Sequence, residues 1–95
     1  MTVKVLISRR VSTSDAEVVR PLLRELHALS LKQPGYLSGE RFINKEDPED
    51  HLVIASWQSL AEWENFKNLP ESSEIHNKVN GILGHETVFR TYISG

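Results

Sequence analysis

"SWQSLAEWENFKNLPESSEIH", residues 56–76, carries two tryptophans, a phenylalanine and a histidine in a chain with seven aromatic residues. Ser59-Leu60-Ala61-Glu62 has the form of a capping box: the serine hydroxyl accepts from the third helical amide while the glutamate reaches back. A helix is therefore expected to start there and to carry Trp63 and Phe66, whose spacing projects both rings within one turn of each other. Pro70 then interrupts it. Proline suits a first helical turn and breaks a helix interior, so a second segment is expected from Pro70, with Ile75, Val79 and Ile82 along one face. Gly81 and Gly84 bracket its end.

The rest of the chain arranges around this broken helix. "HLVIASW", 51–57, is apolar on both faces, as in a strand lying between two layers. The polar turn "KEDPED" joins it to "YLSGERFIN", 36–44, which gives an antiparallel hairpin. "HETVFRTYI", 85–93, alternates and forms a further strand, and "VKVLISRRV", 3–11, is rich in β-branched residues and forms the first. Ser12, Thr13 or Ser14 caps a helix in which Val19, Leu22, Leu23, Leu26 and Leu29 share one face between Ala16 and Lys32. Pro21 within that run implies a kink, or a regular helix that begins only near Arg20. "QPG" at 33–35 stops it. The order is β-α-β-β-α-β. The fold class is α+β: a ferredoxin-like, four-stranded antiparallel sheet with helices on one face, in a single domain spanning 1–95. One side of the first strand carries Val3, Val5 and Ile7, the other Leu6. An apolar sheet face left open is unfavourable in water, so a homodimer pressed sheet to sheet is expected.

Composition narrows the function. Ninety-five residues make a thin core, so a ligand cavity must be carved from it or shared with a second chain. Net charge is −2, with 13 acidic and 11 basic residues well mixed, and the densest basic spot is Arg9-Arg10, which argues against nucleic acid as a partner. With no cysteine, disulfides, thiolate catalysis and cysteine-held zinc are excluded. "MTVKVLISRR" has too short an apolar run for a signal peptide, and no run approaches the ~20 residues of a membrane span. A soluble, cytoplasmic protein without a membrane partner is the expectation. No His-x-His, HExxH or carboxylate cluster offers a metal site, no glycine-rich loop offers a phosphate cradle, and no Gly-x-Ser-x-Gly elbow is present.

"KQPGYLSGERF", "DPEDHLVIASWQSLAEWENF" and "FRTY", in that order, resemble the antibiotic biosynthesis monooxygenase family. The most specific parts are Pro34-Gly35 before the second strand and the Trp57-x-Ser59 step into a helix, with an aromatic residue six positions after Trp57. The resemblance implies a dimeric α+β barrel. It implies oxidation of a small aromatic substrate with O2 and no metal, flavin or haem, though many members have no known activity. Anthrone-type members end the third strand in a tryptophan, as Trp57 does. Their tyrosine six residues on is Trp63 here, their asparagine four residues before the tryptophan is Val53, and their basic residue six past a proline is His76. Haem-degrading members pair a tryptophan with an iron-ligating histidine ten residues on; Phe66 and His76 stand there. They also need an asparagine in the first strand, and none occurs between Met1 and Arg41. One match of three argues against haem.

On these grounds His76 and Trp57 are the candidate catalytic residues, and Trp63, Phe66 and Phe42 the candidate substrate walls. A histidine in a pocket takes a proton from a phenol or holds a substrate oxygen, because its ordinary pKa lies near neutral. The bland alternative gives the rings to the core and His76 to the surface. His51 and His85 begin the third and fourth strands as solvated ends, and His27 is expected to be exposed. Arg9, Arg10, Arg41 and Arg90 fall on strands; any one turned inward would hold an anionic substrate. The expected function is cofactor-independent oxidation of a phenol, quinol or anthrone-like molecule by O2. The alternatives are a dimeric barrel that binds a small molecule without turnover, and a structural dimer whose barrel is filled.

Overall fold

The computed structural model describes residues 2–94. Seven elements follow one another: β1 (Val3–Arg10), α1 (Thr13–Leu31), β2 (Tyr36–Ile43), β3 (Asp50–Trp57), α2 (Leu60–Lys67), α3 (Pro70–Leu83) and β4 (Val88–Ile93). The strands form one antiparallel sheet in the order β2-β3-β1-β4, and the helices cover one face. The βαββαβ order is the one expected from the sequence.

Period-two alternation sorts the sheet into two faces. Val3, Val5, Ile7 and Arg9 of β1 are buried, and across the ladder they meet Trp57, Ala55, Val53 and His51 of β3. This row faces the helices. Val19, Leu26, Trp63, Phe66, Ile75, Val79 and Leu83 close the core from above. The opposite face carries Lys4, Leu6 and Ser8, with Ser56, Ile54 and Leu52 beside them, and no element of the chain covers it among the described residues.

Local chemistry differs from expectation at several points. Helix α1 starts at Thr13, capped by Ser12, whose hydroxyl accepts from the Asp15 amide at 3.2 Å. It runs through Pro21 without ending, so the late start near Arg20 is not what the chain does. The cost of one lost amide bond is met by packing of the apolar face. The box at α2 is half formed: Ser59 accepts from the Glu62 amide, but its hydroxyl donates to the Glu62 carboxylate at 3.0 Å. Pro70 does open α3, and Gly84 ends it in a left-handed conformation at φ 71°, whereas Gly81 lies inside the helix. β4 begins at Val88 rather than at His85. The Asn80 side chain holds the Thr87 amide and hydroxyl at 3.1 and 2.7 Å and so keeps the preceding residues as a loop.

In β2 the register slips between Tyr36 and Ser38, so Leu37 is the extra residue of a bulge. The slip reverses the alternation. Tyr36 pairs with Trp57, and Gly39, Arg41 and Ile43 pair with Ala55, Val53 and His51, all on the helix side. Phe42 pairs with Leu52 on the other face and is 45% exposed.

Candidate functional site

Helix α1 packs on α3 rather than on β2. That leaves a gap between α1 and the β2–β3 side of the sheet, and the gap is a cavity of about 630 Å3. This volume suits a small-molecule ligand of two or three fused rings. Its inner wall is aromatic. Trp57 lies 5.2 Å from Tyr36 edge-on, 5.2 Å from Phe66 in a stacked pose and 6.0 Å from Trp63. All four line the cavity. These rings are core and wall at once: Trp57 and Trp63 are almost fully buried yet each has an edge on the open volume.

Three buried polar atoms have no hydrogen-bond partner among the described residues: Arg9 Nε, Trp57 Nε1 and His76 Nε2. All three residues line the cavity. Buried polar groups are otherwise nearly always paired, so two donors and one acceptor left open on residues that line one cavity are unusual; the atoms themselves are covered, and a ligand reaches them after a small side-chain shift. The acceptor assignment follows from the other ring nitrogen. His76 Nδ1 lies 3.0 Å from the Ser72 carbonyl oxygen, which only accepts, so Nδ1 carries the proton and Nε2 keeps a lone pair. The ring is held edge-on against Phe89 at 5.3 Å.

The sequence gives His76 a near-neutral pKa; the structure does not. Burial, then the positive charge of Arg9, pull it down to about 4, and Lys67 acts in the same direction against the Ser72 hydrogen bond. At neutral pH His76 is an uncharged acceptor. Arg9 is 7% exposed, and desolvation lowers its pKa from the ordinary arginine value to about 10, so it stays cationic. Its neighbour Arg10 faces outward and pairs with Asp47 at 2.9 Å and Glu49 at 3.5 Å. Arg9 makes no ion pair among the described residues.

Of the five candidate residues, the structure brings His76, Trp57, Trp63 and Phe66 together on one cavity. Phe42 does not join them. The bulge at Leu37 turns it to the opposite sheet face, which corrects the expectation that it is a substrate wall. Of the four strand arginines, Arg9 and Arg41 line the cavity, and for Arg9 the alternation Val3, Val5, Ile7 continues to it. One residue was missed. Tyr36 was not legible, because its place opposite Trp57 is set by the strand pairing; Gly39 leaves its phenol room, since a Cβ there would stand 2.6 Å from the Tyr36 hydroxyl. His27 is exposed, as expected, but sits at the cavity edge 6.3 Å from the Tyr36 ring. Among the described residues no three His, Asp or Glu side chains converge as metal ligands, and no helix is long and apolar enough to cross a membrane.

Known structures share this architecture. A conserved protein from Methanosarcina mazei Go1 superposes with a TM-score of 0.90 at 18% identity, over 100% of this chain and 94% of that one. Rv0793 from Mycobacterium tuberculosis gives 0.85 at 12% identity, over 100% and 96%. SnoaB, a cofactor-independent oxygenase from Streptomyces nogalater, gives 0.82 at 14% identity, over 99% and 93%. At such identities the likeness is one of fold. No curated protein matches the sequence. The profile of the antibiotic biosynthesis monooxygenase family matches residues 2–78, most of the length, and the chain belongs to that family.

Proposed function

We propose that the protein is a cofactor-independent monooxygenase that oxidises a small aromatic substrate, a phenol, quinol or anthrone, with O2. The observation that carries this reading is one aromatic-walled cavity lined by three residues with an unpartnered buried polar atom, Arg9, Trp57 and His76. His76 accepts from the substrate hydroxyl and orients the ring. Arg9 donates toward the same oxygen as it gains negative charge, while the Trp57 N–H, six residues along the sheet from Arg9 on the register, serves another part of the substrate. A buried guanidinium favours the phenolate over the phenol, because the opposite charge acts across a poorly screened space, and the hydroxyl proton passes to solvent at the open cavity and is taken back by the peroxide as it loses water. The electron-rich phenolate is itself the reductant for O2. In an anthrone, the carbon opposite the phenolate oxygen gives an electron to O2, joins the resulting superoxide as a peroxide, and loses water. One oxygen atom ends as a ketone and the other as water, so the balance needs no further reductant. The walls Trp57, Trp63 and Phe66 supply shape and exclude water. The low pKa of His76 makes it a positioning acceptor more than a strong base, and gives Arg9 the larger share of the electrostatic work.

Oxygen uptake in chelator-treated buffer against a panel of anthrones, quinols and phenols tests this. One O2 consumed per ketone formed is expected, and its disappearance in Arg9→Met. Saturable binding without uptake by any compound would instead make the chain a binding barrel.

The same reading includes a homodimer. Leu6, Leu52, Ile54, Phe42, Val88 and Tyr92 share the sheet face that no helix covers, and the last three are 45–52% exposed. Two such faces packed together would remove this patch from water. A monomer at micromolar concentration in light scattering would overturn it.

A further inference from the structure

The cavity mouth differs in charge from the rest of the molecule. The chain has net charge −2, yet four of its six arginines (Arg9, Arg20, Arg24 and Arg41) line the cavity, while none of its five lysines does. Of its 13 acidic residues only Glu40 reaches the lining, and Glu40 pairs with Ile54 on the register that faces away from the helices. The placement is not accidental to surface composition. Arg20, Leu23, Arg24, His27 and Leu31 fall on one stripe of α1, at the spacing of a single helix face, and all line the cavity. Arg41 rises opposite from β2, on the helix side, because the Leu37 bulge sets it there. Arg20 is engaged by Glu17 at 3.1 Å. Arg24 and Arg41 make no ion pair among the described residues.

Cation and inner site are separated. Arg41 stands two strands across and two residues along from Arg9, roughly 12 Å between Cα atoms at ordinary sheet spacings. We propose that the cavity takes an aromatic acid, with its hydroxylated ring beside Arg9 and His76 and a carboxylate or other oxyanion held at the mouth by Arg24 and Arg41. Guanidinium groups suit this role because their forked donors match a carboxylate or phosphate in two bonds at once. Two arginines lining one open mouth without ion-pair partners among the described residues concentrate positive charge there, and a bound anion offsets it. The inference deepens the oxygenase reading and rests on it for the place of the ring.

Titration calorimetry with three probes tests it: 6-hydroxy-2-naphthoate, its methyl ester and 2-naphthyl phosphate. Both anions are expected to bind at least tenfold tighter than the ester at low salt, and the stronger of the two tells carboxylate from phosphate. In the double variant Arg24→Gln/Arg41→Gln the gap falls below threefold. Arg20→Gln, whose guanidinium is already occupied by Glu17, leaves the gap in place. The double variant changes exposed side chains only, so folding is preserved. Equal binding of acid and ester overturns the proposal, as does a preference that survives in the double variant or falls equally in Arg20→Gln. Calorimetry reads binding alone. A failure of oxygen uptake with the anion preference intact would strike the oxygenase reading and leave this one standing.

Discussion

Replacing Arg9 by methionine is expected to stabilise the protein while abolishing its function. Arg9 is 7% exposed, its Nε has no partner among the described residues, and desolvation lowers its pKa from the ordinary arginine value to about 10. A displacement of that size corresponds to roughly 3 kcal/mol of cost for holding the charged form in place. The sign follows from its direction. A cation whose pKa is lower in the folded state opposes folding at every pH below about 10, and so across the whole neutral range. Methionine keeps an unbranched stem against Ile7 and the aromatic wall and removes the charge. After allowing for some lost packing, a net gain of ~1–2 kcal/mol is expected, or roughly 5–15 °C in Tm for a chain of this size. Urea denaturation at pH 7 and fixed protomer concentration measures it, since guanidinium salts would screen the effect. The same variant is expected to raise the His76 pKa from about 4 without restoring 6.5, because burial outranks Arg9 among its causes. Imidazole proton shifts in an NMR titration report this. A loss of 1 kcal/mol or more in Arg9→Met, or an unmoved His76, would refute the account of Arg9 as an uncompensated buried charge.

Three further outcomes follow from the structure. His76 has a folded pKa of about 4 against 6.5 when exposed, so the unfolded chain protonates first and stability falls as pH drops from about 6.5 to about 4; the loss, on the order of 2–3 kcal/mol, should vanish in His76→Gln, and an unchanged pH slope in urea melts of that variant would contradict it. Trp57→Ala is expected to cost about 3–5 kcal/mol as the central ring of the aromatic cluster, whereas Trp57→Phe keeps most of the packing, costs under ~1.5 kcal/mol and weakens phenol binding through the lost N–H; equal losses in thermal melts would show that the indole nitrogen has a structural partner. Gly35 sits at φ 86°, and a Cβ there would collide with the Glu62 carboxylate, so Gly35→Ala should cost more than ~1 kcal/mol by calorimetry and loosen the Ser59 cap with it.

The elements were legible where a single period ran unbroken. The α1 apolar stripe, the Ser59 start and the Pro70 break all lie in local chemistry, and local chemistry set them. The site was legible in proportion. His76, Trp57, Trp63 and Phe66 follow from the broken helix and the strand before it, which the sequence displays directly. What escaped depends on a register, which a sequence does not display. One extra residue at Leu37 exchanges the two faces of β2 beyond Tyr36, taking Phe42 out of the site and bringing Arg41 onto the same face as Tyr36. The pKa of His76 escaped for a related reason: it is fixed by burial and by Arg9, a residue 67 positions away in the chain that comes near only through the fold.

The sheet order has a bearing on how the protein is made. β1 leads the sequence but lies inside the sheet, between β3 and β4. As the chain leaves the ribosome, β1 must wait for residues 50–57 before it gains one neighbour and for residues 88–93 before it gains the second. Until then Val5 and Ile7 sit on an open strand edge, the kind of surface that pairs with other nascent chains. Trp63 and His76 are likewise unfinished, since Phe89 of β4 is the ring against which both rest. The cavity is thus among the last features to form, and a chain released shortly before β4 would hold the sequence of all three helices but lack the ring that backs Trp63 and His76.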